Sequence, residues 1–202
     1  MPRTIATRAV AALLALGLFA FASPPVLAGA KIIRGGGEPV ADDQPRTFVL
    51  TDHNGELATN ESFLGSHLIV YFGYTHCPDI CPTSLQTFTE VLEVLGPDAE
   101  NVRVAFITVD PDRDTPERMK EYVAHFHPRI VGLTGPKANI AAAASAYKIR
   151  YDKVMAGSSA SDYEVDHSSS AIFMGPDGRF LGRWAYGTPA QTIAADVQAK
   201  LK

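Results

Sequence analysis

Residues 68–82 read LIVYFGYTHCPDICP and join a hydrophobic run to a loop that carries the only two cysteines of the chain. The run from Leu68 to Phe72 has no alternation with polar residues, which is typical of a central strand buried on both faces. Pro82 suits the first turn of a helix, because its missing N–H group would have no partner there. We therefore predict a strand, a cysteine-bearing loop, and a helix from about Pro82 to Leu95.

The rest of the domain alternates strand and helix patterns around this unit. Such alternation implies an α/β fold with a mainly parallel central sheet flanked by helices, and a terminal hairpin matches a thioredoxin-like architecture. The cysteine loop then lies at the carboxyl end of a parallel strand, where open α/β sheets place their ligand sites. The predicted elements are an N-terminal β-hairpin across Asn54-Gly55, strands at 102–109 and 130–133, helices after Thr115-Pro116, over 136–147 and after Thr188-Pro189, and a C-terminal β-hairpin of 171–174 with 180–184.

The N-terminus has the pattern of an export signal. Arg3 and Arg8 precede an apolar or small stretch over 9–22, and no charge follows Arg8 until Lys31. That span is long enough to cross a bilayer if it is not cleaved. We expect the domain to be exported to the bacterial periplasm or to the periplasmic face of the inner membrane, with membrane contact only through an uncleaved leader. The predicted organisation is a signal peptide or signal anchor at 1–30, a linker at 31–45 and one domain at 46–202.

Charge and cysteine spacing narrow the function classes. The net charge is −4 and the sequence has no basic run, which argues against nucleic acid as a partner. Cys77 and Cys81 are separated by three residues, so a disulfide between them would close a loop too short to stabilise the fold much. The pair is better explained by redox or metal chemistry, since thiolates are soft ligands for Cu(I) or zinc.

Three segments in order resemble the motifs of the Sco/SenC family of copper proteins: Gly73–Pro82, Val109–Glu117 and Asp162–Ser168. The similarity covers the chain from about Pro39 to its C-terminus. It implies a thioredoxin-like fold that binds one copper ion per chain, as Cu(I) or Cu(II). The implied metal ligands are Cys77, Cys81 and His167.

The same resemblance implies a function. Members of this family deliver copper to the binuclear copper centre of cytochrome c oxidase, so subunit II of the oxidase is the expected partner, with another copper carrier as a second. The alternative is a thiol-disulfide oxidoreductase that keeps partner cysteines reduced, for which Cys77 and Cys81 would form a redox disulfide. That alternative does not need His167.

The chemistry of the implied ligands agrees with copper. Two thiolates and one imidazole suit both oxidation states, and three protein ligands leave an open position for release, although zinc would accept the same set. Three closely spaced carboxylates, at Asp110, Asp112 and Asp114, could suggest a hard-cation site, but we interpret them as a strand-to-helix loop. The residues predicted to surround the ligands or to contact a partner are His76, Asp79, Asp112, Arg113 and Asp166.

Overall fold

The computed structural model describes residues 46–155 and 163–201. The predicted signal segment and linker lie outside the described residues and stay predictions. No helix within the described ranges is both long and apolar enough to span a membrane.

The described chain contains nine strands and four α-helices, with short 3₁₀ turns after β2 and α1. The elements are β1 (Val49–Asp52), β2 (Leu57–Thr59), β3 (His67–Gly73), α1 (Ile80–Leu95), β4 (Val102–Thr108), α2 (Pro116–Val123), β5 (Ile130–Thr134), α3 (Lys137–Ala146), β6 (Tyr151–Met155), β7 (Tyr163–His167), β8 (Ala171–Met174), β9 (Phe180–Trp184) and α4 (Ala190–Gln198).

Seven of these strands form one mixed sheet in the order β2-β1-β5-β4-β3-β8-β9. Its three central strands, β5, β4 and β3, are parallel, and the hairpins β1–β2 and β8–β9 extend it antiparallel on either side. Every residue of β3 is buried, as expected for a strand covered on both faces. The predicted thioredoxin-like α/β class is thus confirmed, and the cysteine loop follows the carboxyl end of β3.

Two features differ from the sequence prediction. Helix α1 begins at Ile80, before Pro82, because the first N–H groups of a helix need no partner within it and proline therefore fits inside the first turn. Strands β6 and β7 were not predicted at all. Within the ranges 46–155 and 163–201 they pair only with each other, in register from Tyr151 opposite His167 to Met155 opposite Tyr163, and form a separate two-stranded sheet.

Candidate metal centre

The cysteine loop leaves β3 at Gly73 and enters α1 with its two sulfur atoms close together. Cys77 lies before the helix and is partly exposed, whereas Cys81 lies in the first helical turn and is fully buried. The backbone N–H of Cys81 donates to the Cys77 sulfur at 3.4 Å. Both cysteines are free thiols. The buried end of a strand and a helix N-terminus thus hold the pair, and the helix dipole favours negative charge there.

Gly73 is required at the end of β3 because the Cys81 sulfur packs directly on its backbone. A β-carbon built at Gly73 would lie 2.7 Å from Cys81 Sγ and 2.8 Å from Cε2 of Phe106. Neither neighbour is free to move, since both are fully buried.

We therefore expect Gly73→Ala to reduce the free energy of unfolding by about 1–3 kcal/mol, the usual cost of overpacking a core. It should also weaken metal binding, because the sulfur of Cys81 must shift. Gly182→Ala on β9 is the matched control, since a β-carbon there meets nothing within 4 Å. Denaturant unfolding of both variants checks this, and equal stability of the two would contradict the packing argument.

The third chemical group of the site arrives from β7. His167 Nε2 lies 3.5 Å from Cys81 Sγ, and the two sulfurs and this histidine offer ligand atoms that all lie within 4.8 Å of one another. The other ring nitrogen, Nδ1, lies 3.2 Å from the carbonyl oxygen of Ser168. An N–H at Nδ1 would donate to that carbonyl and leave the lone pair of Nε2 for a metal, which is the usual arrangement of a ligating histidine.

Aromatic rings enclose the imidazole. The rings of Tyr71 and Tyr74 meet the His167 ring edge to face, with centroids 6.3 Å and 6.1 Å away. Tyr71 is fully buried and Tyr74 nearly so. These two rings restrict the directions in which the His167 side chain can lie.

The two thiols differ sharply in acidity. A hydrogen bond with Cys81 is the largest influence that holds the pKa of Cys77 well below its ordinary value, with help from His167 and against an opposing effect of burial. The same interaction, together with burial, raises the pKa of Cys81. In the metal-free protein the pair therefore keeps one proton near neutral pH, with a thiolate at Cys77 and a thiol at Cys81.

This asymmetry predicts the pH dependence of alkylation by iodoacetamide. A lowered pKa means that Cys77 is already deprotonated below neutral pH, so its rate should stay level between about pH 6 and pH 8, where an ordinary thiol with a pKa near 8.5 slows about tenfold per unit. Buried, protonated Cys81 should not react in the folded protein. Mass spectrometry of the labelled peptides measures both rates; a tenfold fall per pH unit at Cys77 would contradict the assignment.

Asp114 holds the cysteine loop in place through hydrogen bonds to Thr75. Its buried carboxylate accepts hydrogen bonds from the Thr75 backbone at 3.0 Å, the Thr75 hydroxyl at 2.6 Å and the Thr108 hydroxyl at 2.6 Å. Asp110 is equally buried, while Asp112 pairs with two lysines. Lys153 also approaches Asp110, at 3.7 Å, whereas the partners of Asp114 are threonines. Each carboxylate is thus engaged by protein groups, which agrees with the interpretation of this segment as a structural loop.

The other predicted site residues do not belong to the group of three ligand atoms. The imidazole of His76 is turned toward Thr75 Oγ1, at 3.2 Å from Nδ1, and lies outside the group of three. Arg113 is engaged with Asp110 and with β7. Contact of these residues with a partner stays a prediction.

The centre opens into a cleft of about 480 Å³. Among the described residues, three carboxylates line it, those of Asp79, Glu164 and Asp166, and two of these belong to the predicted surrounding residues. Cys77 and His167 also line the cleft, whereas Cys81 is fully buried. A metal ion on the three ligands would therefore be reachable from one side.

Comparison with known proteins agrees with this geometry. The family model described as SCO1/SenC matches residues 37–202. A SCO2-like protein of Rickettsia felis is 41% identical over 66% of this chain and 65% of its own length. The mitochondrial SCO1 homologue of Mus musculus is 41% identical over 77% of this chain and 55% of its own. The match thus spans roughly half to two thirds of these relatives.

Solved structures extend the comparison to metal-bound proteins. Bradyrhizobium japonicum ScoI with copper bound has a TM-score of 0.71 and 41% identity, and covers 77% of this chain and 98% of that one. Yeast Sco1 with copper bound has a TM-score of 0.71 and 33% identity over 77% and 86% of the two chains. A third structure, in which a disulfide switch was identified in BsSco, has a TM-score of 0.62 and 26% identity over 78% and 93%.

The family model covers most of the chain, the relatives exceed 30% identity, and the fold is shared with the copper-bound structures. Cys77, Cys81 and His167 are positioned to bind one metal ion. This chain belongs to the SCO1/SenC family.

Proposed function

We propose that this protein binds one copper ion through Cys77, Cys81 and His167 and delivers it to the binuclear copper centre of cytochrome c oxidase during assembly. The observation that carries the proposal is the approach of two sulfurs and one imidazole nitrogen to within 4.8 Å of one another. These donors suit copper in both oxidation states. The copper-bound structures of similar proteins favour copper over zinc.

Delivery is supported by the shape of the site. Three ligands leave at least one position of the metal open, and the cleft gives a partner access to that position. A thiolate from the acceptor can bind there before the Cys77 sulfur departs, so the ion is never without ligands. Subunit II of the oxidase is the proposed acceptor, and a second copper carrier is the proposed donor.

The proposed location is the periplasm or the periplasmic face of the inner membrane. Its support is the charge and hydropathy pattern of residues 1–30, which is that of an export signal. Fractionation of cells that express the full chain tests it. Recovery of the protein with cytoplasmic markers would contradict it.

A second candidate is reduction of partner disulfides. One observation favours it: the partly exposed Cys77 has a lowered pKa, which is the property of an attacking thiol. The disulfide switch identified in BsSco, a member of the family, is consistent with such chemistry. This activity would use Cys77 and Cys81 and would not require His167, although His167 contributes to the lowered pKa of Cys77.

The test is a transfer assay with the copper-free soluble domain of oxidase subunit II from the same organism. Copper-loaded protein should convert this acceptor to its copper form with loss of metal from the donor. His125→Ala, at an exposed histidine just after the C-terminal end of helix α2 that is not among the predicted site residues, is the control and should do the same. No transfer to a reduced acceptor would contradict delivery. In the second arm the metal-free, reduced protein meets an acceptor whose cysteines are oxidised. Reduction of one acceptor disulfide per chain, with oxidation of Cys77 and Cys81 to a disulfide, would support the reductase if it survives His167→Ala.

A further inference from the structure

The hairpin β6–β7 carries His167, and few of its side chains are buried against the rest of the domain. Among its described residues only Val165 is buried, and its two strands pair with no strand of the main sheet. A two-stranded hairpin is marginally stable in water by itself. Both cysteines belong to the β3–α1 unit of the core, so the distance from His167 to the sulfurs depends on what fixes this hairpin.

Arg113, in the loop between β4 and α2, contacts Tyr163, the first residue of β7. The guanidinium of Arg113 lies 3.8 Å from the ring centroid of Tyr163, and Nη1 donates to the Tyr163 carbonyl oxygen at 3.3 Å. The Nε of Arg113 forms an ion pair with Asp110 Oδ2. The planar guanidinium thus bonds a carboxylate, a carbonyl and a ring face together, a combination that lysine cannot reproduce.

Asp110 bonds both Arg113 and Tyr163. Its carboxylate is fully buried and accepts a hydrogen bond from the Tyr163 hydroxyl at 2.7 Å. Burial, and next the hydrogen bond with Asp110, raises the pKa of Tyr163, so the hydroxyl stays a donor. A buried carboxylate that loses one of its hydrogen-bond donors is left unsatisfied at a cost in free energy, which gives this contact its strength.

Strand β6, the other strand of the hairpin, is held more weakly than β7. Lys153 on β6 places Nζ 4.2 Å from the Tyr163 ring centroid and 2.8 Å from Asp112 Oδ2. Asp112 also pairs with Lys137 of α3 at 2.8 Å. Because these side chains are 40–71% exposed, each pair contributes little by itself.

The same loop also holds the cysteines. Asp114, four residues after Asp110, accepts hydrogen bonds from both the backbone and the hydroxyl of Thr75 in the cysteine loop. The backbone N–H of Asp114 in turn donates to the carbonyl oxygen of Asp110 at 3.0 Å. One short segment is therefore in contact with the sulfur-bearing loop and with the hairpin that supplies the imidazole.

We propose that Asp110, Arg113 and Tyr163 are positioning residues: they form a clamp that fixes the β6–β7 hairpin and thereby keeps His167 at the two cysteine sulfurs. Opening the clamp leaves a site of two cysteines alone. The clamp therefore sets how tightly the third ligand is held, and with it the affinity for Cu(II) relative to the affinity for Cu(I). This rests on the metal binding proposed above but assigns residues that supply no ligand atom.

Two variants test the clamp. Tyr163→Phe removes only the hydroxyl that donates a hydrogen bond to Asp110. Arg113→Gln removes the ion pair with Asp110 and the cation that stacks on the Tyr163 ring. The controls are Tyr186→Phe and Arg179→Gln, at an exposed tyrosine and an exposed arginine outside the clamp. In the metal-free protein, backbone amides of β6 and β7 should exchange with solvent about tenfold faster in the clamp variants, while those of β3 and β4 should not change.

In the copper-loaded protein, the clamp variants should weaken only the bond between His167 and the metal. Loss of groups that orient a metal ligand costs about 10–100-fold, so Cu(II) should dissociate faster by that factor and its nitrogen hyperfine coupling should weaken. Cu(I) affinity, which the two cysteines can maintain, should change less than threefold. A merely structural role would lower both affinities together.

The outcomes separate the two proposals. If neither clamp variant alters hairpin exchange or Cu(II) dissociation relative to its control, the clamp is wrong. If the parent protein binds no copper, the proposed function fails, and the exchange rates in the metal-free variants still decide whether these residues hold the hairpin.

Discussion

Replacing His167 by alanine should remove the sulfur-to-copper charge-transfer band of the Cu(II) protein and lower its Cu(II) affinity by at least about 100-fold. The magnitude follows because even residues that only orient a ligand cost about 10–100-fold when they are lost. Cu(I) should still bind, since the two thiolates that it prefers are intact. Absorption spectra and competition titrations in both oxidation states measure the split.

His76→Ala is the matched control for this prediction. It removes an imidazole next to Cys77 that lies outside the group of three ligand atoms. Its spectrum and affinity should match those of the parent protein. An unchanged Cu(II) spectrum in His167→Ala, or a loss equal to it in His76→Ala, would show that the wrong histidine has been assigned.

Serine at both position 77 and position 81 should abolish copper binding, from one ion per chain to nearly none. A hydroxyl is a poor ligand for Cu(I), and the single remaining imidazole cannot hold the ion alone. Because Cys81 is fully buried, its hydroxyl replacement also costs about 1–3 kcal/mol of stability if it finds no partner. Metal analysis after dialysis, with circular dichroism to verify folding, measures both effects.

Cys77→Ser alone keeps this prediction testable if the double variant does not fold. Cys77 is partly exposed at the floor of the cleft, so its replacement should not disturb the core. Copper retention at one equivalent by folded Cys77→Ser would contradict a site that needs both sulfurs.

Much of the fold could be predicted because its signals are local. The buried strand β3 is a hydrophobic run, and the hairpin turn at Asn54-Gly55 and the Thr115-Pro116 helix start are short patterns with one common structural meaning. The hairpin β6–β7 was missed although residues 163–167 alternate in polarity, as a strand exposed on one face does. That alternation is the signal that could have found it.

The site could be predicted only in part, for a physical reason. Cys77 and Cys81 are neighbours in sequence, so their chemistry is visible from spacing. His167 lies on a separate hairpin, and only its similarity to a family motif assigned it. The roles of Asp114 and of the clamp depend on contacts over tens of residues, 39 positions from Asp114 to Thr75 and 53 from Asp110 to Tyr163, and no local pattern encodes these. The requirement for glycine at position 73 could not be predicted either, because it depends on the packing of the Cys81 sulfur against the Gly73 backbone.

This division bears on the proposed release of the metal. The sulfurs belong to the rigid core, whereas the imidazole is on a hairpin held by a few polar contacts. Stability is unevenly distributed in proteins, and such an element can open without unfolding the rest. If the proposed transfer occurs, movement of the hairpin would release the imidazole while the two sulfurs stay in place in the core.

The central claim is that one copper ion binds to two sulfurs and one imidazole. X-ray absorption spectroscopy of the copper-loaded protein, on a sample whose metal-to-protein ratio has been measured, tests it most directly. We expect one copper per chain, two sulfur neighbours and the scattering pattern of one imidazole, with the imidazole contribution absent from His167→Ala. Coordination by nitrogen and oxygen alone, or an imidazole signal that persists in that variant, would contradict the assignment of this centre.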